Sequence, residues 1–572
     1  MIAIGLVLVC ALLAAWLLGR YLQAVFVSET PPLLRLLGPV ETAILRLIGL
    51  RAAPGMDWRG YAMAFVKSNL MLGLLCFAVL LLQQRLPLNP DGAGGLSWDL
   101  ALHTMVSFLT NTNQQHYSGQ AQLSYLSQLV ALVTLQVLTP MMGFAVMLAV
   151  LRGMKGGRNP AAADGEPRDL GNFYADTLRA TLHVLLPLWL ILSLALGGSG
   201  VPSTLEGAAR ATPIDQSAGV SEQIIPRGPM ATMVAVKQLG TNGGGWYGPN
   251  SAAPLENPSA SSNALQLAAI VLIPLACVFL AGPLLGRPRF TPFALGSLGL
   301  VSLLFIVLAV YSELQPNAAA IGLADPGPNL EGKEVRFGPE WSALWSTLTT
   351  QTSNGSVNGM HDSLNPIAGL VALSGMLINA VWGGIGCGLV GFLVYVWLTA
   401  FLAGLMVGRT PEVYGRKLEV REMRWIGVLV IAQPLSVLAA TALSLSIPGL
   451  AGNSNPGLHG VAQVFYEYTS AYANNGSGFE GLGDATPWWN LSCVVLLLIG
   501  RYLHLIVPLA IAGSLASKRP LARSSGSLPI DTPTFAIALI AVMVLLTLLS
   551  FLPALVLGPL GEALSSPTWS TP

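Results

Sequence analysis

This sequence predicts an all-α integral membrane protein, and three observations carry that prediction. The chain is 53% hydrophobic and only 10% charged, with a mean hydropathy of +0.63, a composition suited to lipid rather than water. Ten apolar stretches reach the length of about 20 residues needed to cross a hydrocarbon core of about 30 Å. Four short Asn- and Gly-rich segments recur, each lying between a short helical stretch and a full span. Together these give ten transmembrane helices, with four pseudo-symmetric units of span, half-helix and span arranged around one pore.

The spans begin near residues 2, 61, 122, 176, 264, 291, 367, 425, 489 and 533. The first lacks a basic n-region and an A-x-A cleavage site, so it reads as a span, and the mature chain is expected to start at Met1. Residues 1–57 then form an N-terminal helix and cytoplasmic loop. Four pore units cover 58–158, 159–286, 287–415 and 416–520, and a last helix lies in 521–572.

Basic residues in short loops stay on the cytoplasmic side. Every second loop is basic: Arg35, Arg46, Arg51 and Arg59; Arg152, Lys155 and Arg158; Arg287 and Arg289; Arg409, Arg416, Lys417, Arg421 and Arg424; Lys518, Arg519 and Arg523. Both termini and all four Asn/Gly segments are therefore expected outside. Arg210, Lys237 and Arg336 fall in the outer loops among acids. With a net charge of +1, nucleic acid is not an expected partner. The five cysteines, Cys10, Cys76, Cys277, Cys387 and Cys493, are isolated in apolar runs and read as small core residues, with no disulfide framework or transition-metal site suggested.

The recurring segments are Thr110 to Asn113, Gly240 to Gly245, Thr352 to Ser356 and Ala473 to Ser477. Each follows about 12 residues with helical spacing, from Trp98, Pro229, Pro339 and Gly457, too short to span. Gly228-Pro229 and Gly338-Pro339 look like start signals, with Pro in the first helical position. A half-helix followed by irregular backbone must be buried in protein or line a wet cavity. Aimed inward, its C-terminus places partial negative charge at the centre, which favours a cation. Gly allows the torsions that turn several carbonyls toward a dehydrated monovalent ion, while Asn, Ser and Thr can brace the strand from behind. Each unit holds two full crossings, so successive copies share one orientation, unlike inverted transporter repeats. Taken singly, each segment could be an ordinary turn.

The signatures SFLTNTNQQHYSG, LGTNGGGW, TSNGSVNGMHDS and ANNGSGFEGL, with ten spans around them, resemble the potassium-translocating A subunit of the bacterial Kdp complex, related to the Trk, Ktr and HKT potassium transporters. The resemblance covers essentially the whole chain. It implies a potassium filter of Asn111, Thr112 and Asn113; Thr241, Asn242 and Gly243; Ser353, Asn354 and Gly355; and Asn474, Asn475 and Gly476, with Gln115 near its entrance. Thr112 reads as the residue standing where the other three units have Gly, so the ring is not expected to be perfectly four-fold.

Between Leu370 and Gly408 the seventh span is too long for one helix and rich in glycine, including Gly383, Gly384 and Gly386. Close helix packing is one reading. A broken helix forming a constriction under the filter is the other, and the resemblance supports it. Gly386 to Gly391 matches G-x-G-x-x-G, but with no strand before it the match carries nothing. Arg501, in the middle of the ninth span, needs a polar cavity or an acidic partner such as Glu467. The resemblance places it beside the pore. His504 reads as a packing residue. Glu222, Asp362, Glu480 and Asp484 lie near the outer segments, where acids can concentrate cations.

The sequence has no G-x-x-x-x-G-K-[ST] and no D-K-T-G, and none of its loops is large enough to hold a nucleotide, so ATP hydrolysis by this chain alone is not expected. The resemblance implies a channel-like subunit of an ATP-driven potassium importer in the bacterial inner membrane. Its partners would be the P-type ATPase B subunit (KdpB), which uses the ATP, and the small C and F subunits (KdpC, KdpF), within membrane lipid. The alternative is a Trk- or Ktr-like potassium channel or transporter driven by membrane potential.

Overall fold

The computed structural model describes residues 2–28, 33–50, 54–159, 166, 168–217, 219–317, 327–520 and 529–565; Arg51 and Arg523 of the basic loops lie outside these. Ten of its helical stretches are long and apolar enough to cross a membrane. The first, α1 (Ile2–Phe26), lies along the fifth span, where a Cβ on Gly19 would stand 2.4 Å from Phe279 Cβ. A second helix, α2 (Leu34–Leu47), occupies what the sequence reads as loop. It is held by Glu41, which pairs with Arg179 at 2.9 Å and His183 at 3.1 Å.

The first unit comprises α3 (Trp58–Leu82), the half-helix α4 (Trp98–Leu109), the single turn α5 (Gly119–Gln122) and α6 (Val133–Lys155), which continues a π-turn over Ser127–Leu132. Asp57 caps α3 by accepting from Gly60 N. In the second unit, α7 (Phe173–Ala180), a π-turn over Thr181–Leu185 and α8 (Leu186–Gly198) make one span. A small antiparallel hairpin of β1 (Ala209–Ala211) and β2 (Gln223–Ile225) precedes α9 (Met230–Leu239) and α10 (Ala260–Leu285), the last starting in a Ser259/Ser262 capping box.

The third unit holds α11 (Phe290–Glu313), α12 (Pro339–Gln351), α13 (Pro366–Ile378) and α14 (Cys387–Met406). The seventh span is thus broken: Asn379, with φ 48°, ends α13, and irregular backbone runs to Gly386. A two-residue hairpin follows, β3 (Glu412–Val413) and β4 (Arg416–Lys417), turned by Tyr414 and Gly415 at positive φ. The fourth unit is α15 (Val420–Ser446), α16 (Gly457–Ala473) and α17 (Pro487–Ala516), followed by α18 (Pro533–Val556) and the short α19 (Pro559–Ser565).

Burial sorts the spans into an inside and a rim. The apolar windows of α6 and α10 are 72% buried, whereas those of α1, α15 and α18 are 22–28% buried and leave broad apolar faces for lipid. Two sequence expectations change. Pro339 opens α12, but Pro229 stands before α9, which begins at Met230. Lys237 is not in an outer loop; it sits fully buried near the C-terminus of α9.

Candidate functional site: a ring of four loops and the cavity beneath

The half-helices α4, α9, α12 and α16 end in strands that share one backbone pattern. Asn111, Thr241, Ser353 and Asn474 have φ of 67°, 49°, 50° and 53°, and Asn113, Gly243, Gly355 and Gly476 have φ of 56°, 77°, 86° and 102°. The residues between them, Thr112, Asn242, Asn354 and Asn475, stay at negative φ. Each strand also turns back on its own helix: the amides of these middle residues reach the carbonyls of Ser107, Lys237, Thr349 and Ser470 at 2.9–3.0 Å. The repeat is therefore structural, and it corrects the register read from sequence. Thr112 aligns with the asparagines, and Asn113 is the residue that stands in a glycine's place.

The glycines report how the strands meet. A Cβ on Gly243 would stand 2.0 Å from Asn354 O, one on Gly355 2.0 Å from Asn475 O, and one on Gly476 2.3 Å from Thr112 O. Each strand abuts the next in the cyclic order one, two, three, four, one. At the step from the first strand to the second, where Asn113 replaces glycine, Gly244 makes the room: a Cβ there would lie 2.6 Å from Asn113 Cβ.

Side chains tie the ring from behind. Asn354 Nδ2 donates to Lys237 O at 3.0 Å, and Asn475 Nδ2 to Thr349 O at 2.9 Å, so each grips the preceding half-helix. Their Oδ1 atoms accept from Ser356 N and Ser477 N. The side-chain amides of Asn111 and Asn242 meet at 2.5 Å. Asn474 Nδ2 donates to Thr112 Oγ1 at 3.0 Å. Gln115 bridges the first two units, donating to Gly245 O at 3.0 Å and accepting from Gly245 N at 2.9 Å.

The broken seventh span sits directly under this ring. Ile385 N donates to Thr241 Oγ1 at 3.1 Å, Ser353 Oγ to Asn379 Oδ1 at 2.9 Å, and Gly383 N to Gln351 O at 2.8 Å. Gly383 and Gly386 take φ of 61° and 75°; a Cβ on Gly386 would stand 2.5 Å from Gly143 O. Gly384 lies closest to Thr241 and Ser353. A cavity below the strands is lined by Asn111, Ser353, Asn379, Cys387, Asn474 and Arg501, among others. Arg501 donates to Cys387 Sγ and to Thr139 O, both at 2.9 Å.

The proposed pairing of Arg501 with Glu467 does not occur. Glu467 is hydrogen-bonded instead to Gln114 and His116. His504 lines the same cavity as Arg501 and meets Tyr472 edge-on at 5.7 Å, so packing describes only part of its setting. Cys10 is exposed and Cys387 half-buried against Arg501, so neither is a core cysteine.

Buried ion pairs buttress the loops. Lys237 pairs with Glu256, both fully buried, and Glu256 also accepts from Tyr247 N at 2.7 Å. Lys333 pairs with Glu313 at 2.8 Å, whose other oxygen accepts from Asn365 N. Of the outer acids, Glu222 pairs with Arg210 and Asp362 with His459. Glu480 accepts from the amides of His361 and Asp362, and burial pushes its carboxyl up to about 7.

Against known proteins, the model of the potassium-transporting ATPase A subunit family matches residues 5–564. The chain belongs to that family. Among similar proteins, the potassium-transporting ATPase potassium-binding subunit of Gloeobacter violaceus is 44% identical over 95% of this chain and 94% of its own. The proteins of the same name from Pseudomonas putida and Synechocystis sp. are 45% and 42% identical, covering 97% and 98% of each chain. The potassium transporter TrkH of Vibrio parahaemolyticus superposes with a TM-score of 0.51 at 14% identity, covering 87% of this chain and 96% of its own, a likeness of fold.

Within this A-subunit chain, the twelve residues expected at the ring do come together, with Gln115 at its outer edge and Gly383, Gly384, Gly386 and Arg501 below. Sequence reasoning missed Asn379 and Cys387 on the cavity wall, Thr139 as a partner of Arg501, and the Lys237–Glu256 pair. Asn379 carried a usable signal, an Asn just past an apolar helical run; the others join residues with no shared period.

Proposed function

We propose that this chain is the potassium-binding, channel-like subunit of an ATP-driven potassium importer in the bacterial inner membrane. Asn111, Thr112 and Asn113; Thr241, Asn242 and Gly243; Ser353, Asn354 and Gly355; and Asn474, Asn475 and Gly476 are its selectivity filter. The observation that carries the reading is the cyclic abutment of four strands whose backbone alternates between positive and negative φ. Such alternation turns successive carbonyls to one side, and four strands then offer stacked rings of oxygens to replace a cation's hydration shell. The four half-helix C-termini add partial negative charge on the same ion.

The ion enters from the extracytoplasmic side, past Gln115, and reaches the cavity beside Arg501. A second cavity shares Asn379 and His504 with the first and runs between α14, α15 and α18 past Tyr395, Gln433 and Thr547. That adjacency supports a sideways exit toward a partner. The relatives' names and the absence of a nucleotide motif support a separate ATPase subunit as motor, namely the P-type B subunit, with the C and F subunits completing the complex. The distribution of basic loops supports both termini outside.

The test compares ATP hydrolysis by the purified chain alone with that of the chain co-expressed with its ATPase partners, with sodium as control cation. Activity only in the complex, stimulated by potassium, is expected. Potassium flux through the chain alone in liposomes, with no ATPase co-purifying, would overturn this reading in favour of a channel driven by membrane potential.

A further inference from the structure

At the seam between the first and fourth units lie three side chains that the ion path does not use. His116 follows the first strand, Glu467 projects from α16 and Cys493 from α17. All three are buried, and their ligand atoms lie within 4.8 Å of one another. His116 Nε2 stands 3.3 Å from Glu467 Oε1. A tetrahedral zinc ion, with bonds of about 2.0 Å to nitrogen or oxygen and about 2.3 Å to sulfur, holds its ligand atoms roughly 3.3–3.8 Å apart. The imidazole–carboxylate edge already has that length, and closing the thiol onto it needs a shift of about 1 Å.

A second observation concerns the orientation of the imidazole. Asn490 Nδ2 donates to Asp99 Oδ2 at 2.9 Å, which commits the amide nitrogen and leaves the amide oxygen facing His116 Nδ1 at 2.8 Å. Nδ1 therefore carries the proton and donates it to Asn490. Nε2 is the nitrogen turned toward the carboxylate and the thiol, and the ring is pinned flat on His103, 3.7 Å away at 12°. Fixing one imidazole nitrogen by an outer hydrogen bond while the other faces an acid and a sulfur is how proteins prepare histidine for a metal.

We propose that His116, Glu467 and Cys493 form a binding site for a zinc-like divalent cation, distinct from the potassium path. Imidazole, carboxylate and thiolate are the mixed nitrogen, oxygen and sulfur set that suits Zn2+, and Co2+ or Cd2+ as substitutes, rather than K+, Mg2+ or Ca2+. On binding, the metal displaces the proton shared between Nε2 and Glu467, and that proton and the one from the Cys493 thiol both leave to solvent while Nδ1 keeps its own. Carboxylate and thiolate then neutralise the two positive charges, and water completes the tetrahedron. The ion would clamp the first strand to the fourth half-helix, at the seam where Gly476 packs on the Thr112 carbonyl.

The test uses full-length, tag-free protein in lipid nanodiscs, stripped with a chelator and titrated with Co2+. One equivalent bound is expected, with a thiolate-to-cobalt charge-transfer band that Zn2+ abolishes. The band should vanish in both Cys493→Ser and His116→Gln, and persist in Cys277→Ser, which removes a buried thiol elsewhere. No such band in the parent protein, or an undiminished band in either site variant, overturns the proposal. Should one site variant fail to fold, the parent stoichiometry and the other variant decide. Because the readout is binding, it stands or falls independently of any coupling to ATP.

Discussion

The α-carbon of Gly243 presses on the neighbouring strand so closely that a Cβ there would stand 2.0 Å from the carbonyl oxygen of Asn354. That oxygen belongs to the middle residue of the third strand, so the contact couples the conformations of two sides of the ring. Gly243 also holds a φ of 77°, where alanine is strained by about 1–2 kcal/mol.

Gly243→Ala is therefore expected to displace the third strand rather than unfold the protein. The apparent potassium affinity of the assembled complex should fall at least roughly tenfold, about 1.4 kcal/mol, with poorer rejection of sodium. Gly197→Ala, in a helix with nothing within 4 Å of the new carbon, is the control and should leave both unchanged. Potassium- and sodium-dependence of ATP hydrolysis measure the difference; unchanged selectivity in Gly243→Ala removes the filter assignment.

Arg501 is 4% exposed, bound to a thiol and a carbonyl, with no carboxylate within ion-pairing distance among the described residues. An arginine without a compensating acid at membrane depth is costly, and Arg501 lines the cavity below the ring. On the ion path proposed above, its charge would oppose prolonged cation occupancy. Arg501→Gln keeps much of the hydrogen bonding and removes the charge, so assembly should survive while turnover falls by about tenfold, roughly 1.4 kcal/mol in the barrier. Size-exclusion profiles and turnover at saturating potassium separate the outcomes; loss of the complex would make Arg501 a structural residue.

His459 joins the start of α16 to Asp362 and, through Glu562, to α19, with contacts of 3.0 Å to each acid. Burial alone would lower its pKa, but the hydrogen bonds to Asp362 and Glu562 outweigh it and raise the pKa to about 10. A raised folded value means that the imidazolium's stabilisation is complete below the unfolded pKa of about 6.5 and is lost as pH rises through about 10. The docking of α19 should thus loosen progressively between about pH 6.5 and 10. Hydrogen exchange in α19 followed across that range should accelerate in the parent protein and show no such step in His459→Gln.

What the sequence made legible follows from what is local. The half-helices showed because 10 to 17 residues with helical spacing stop at Asn and Gly, the residues that tolerate positive φ. The broken seventh span showed because it is too long and too rich in glycine. The strand register did not: two of the four left-handed positions are Thr241 and Ser353, which local preference disfavours there, and they are held by Ile385 N and Asn379 from the break below. Hence Thr112, rather than Asn113, looked like the odd residue. The cluster of His116, Glu467 and Cys493 joins distant parts of the chain, so no spacing announces it. The helix α2 hid because its amphipathic pattern is short and contains Pro39.

Lys237 meets its partner across 19 residues with no shared period. Read as an outer-loop cation, it is instead sealed in the last turn of α9 with Glu256, and both side chains are fully shielded from solvent. Its position favours the half-helix C-terminus, whose carbonyl ends carry partial negative charge. Glu256 in turn accepts from Tyr247 N, so the pair anchors the loop after the second strand to the helix before it. Removing one partner leaves a buried charge uncompensated, which typically costs about 3–5 kcal/mol. Lys237→Met should accordingly lower thermal stability sharply and weaken potassium binding together. Lys237→Met with Glu256→Gln, which leaves no buried charge, should recover more than half of the lost stability. A double variant no more stable than Lys237→Met would mean that the lysine acts through packing rather than charge.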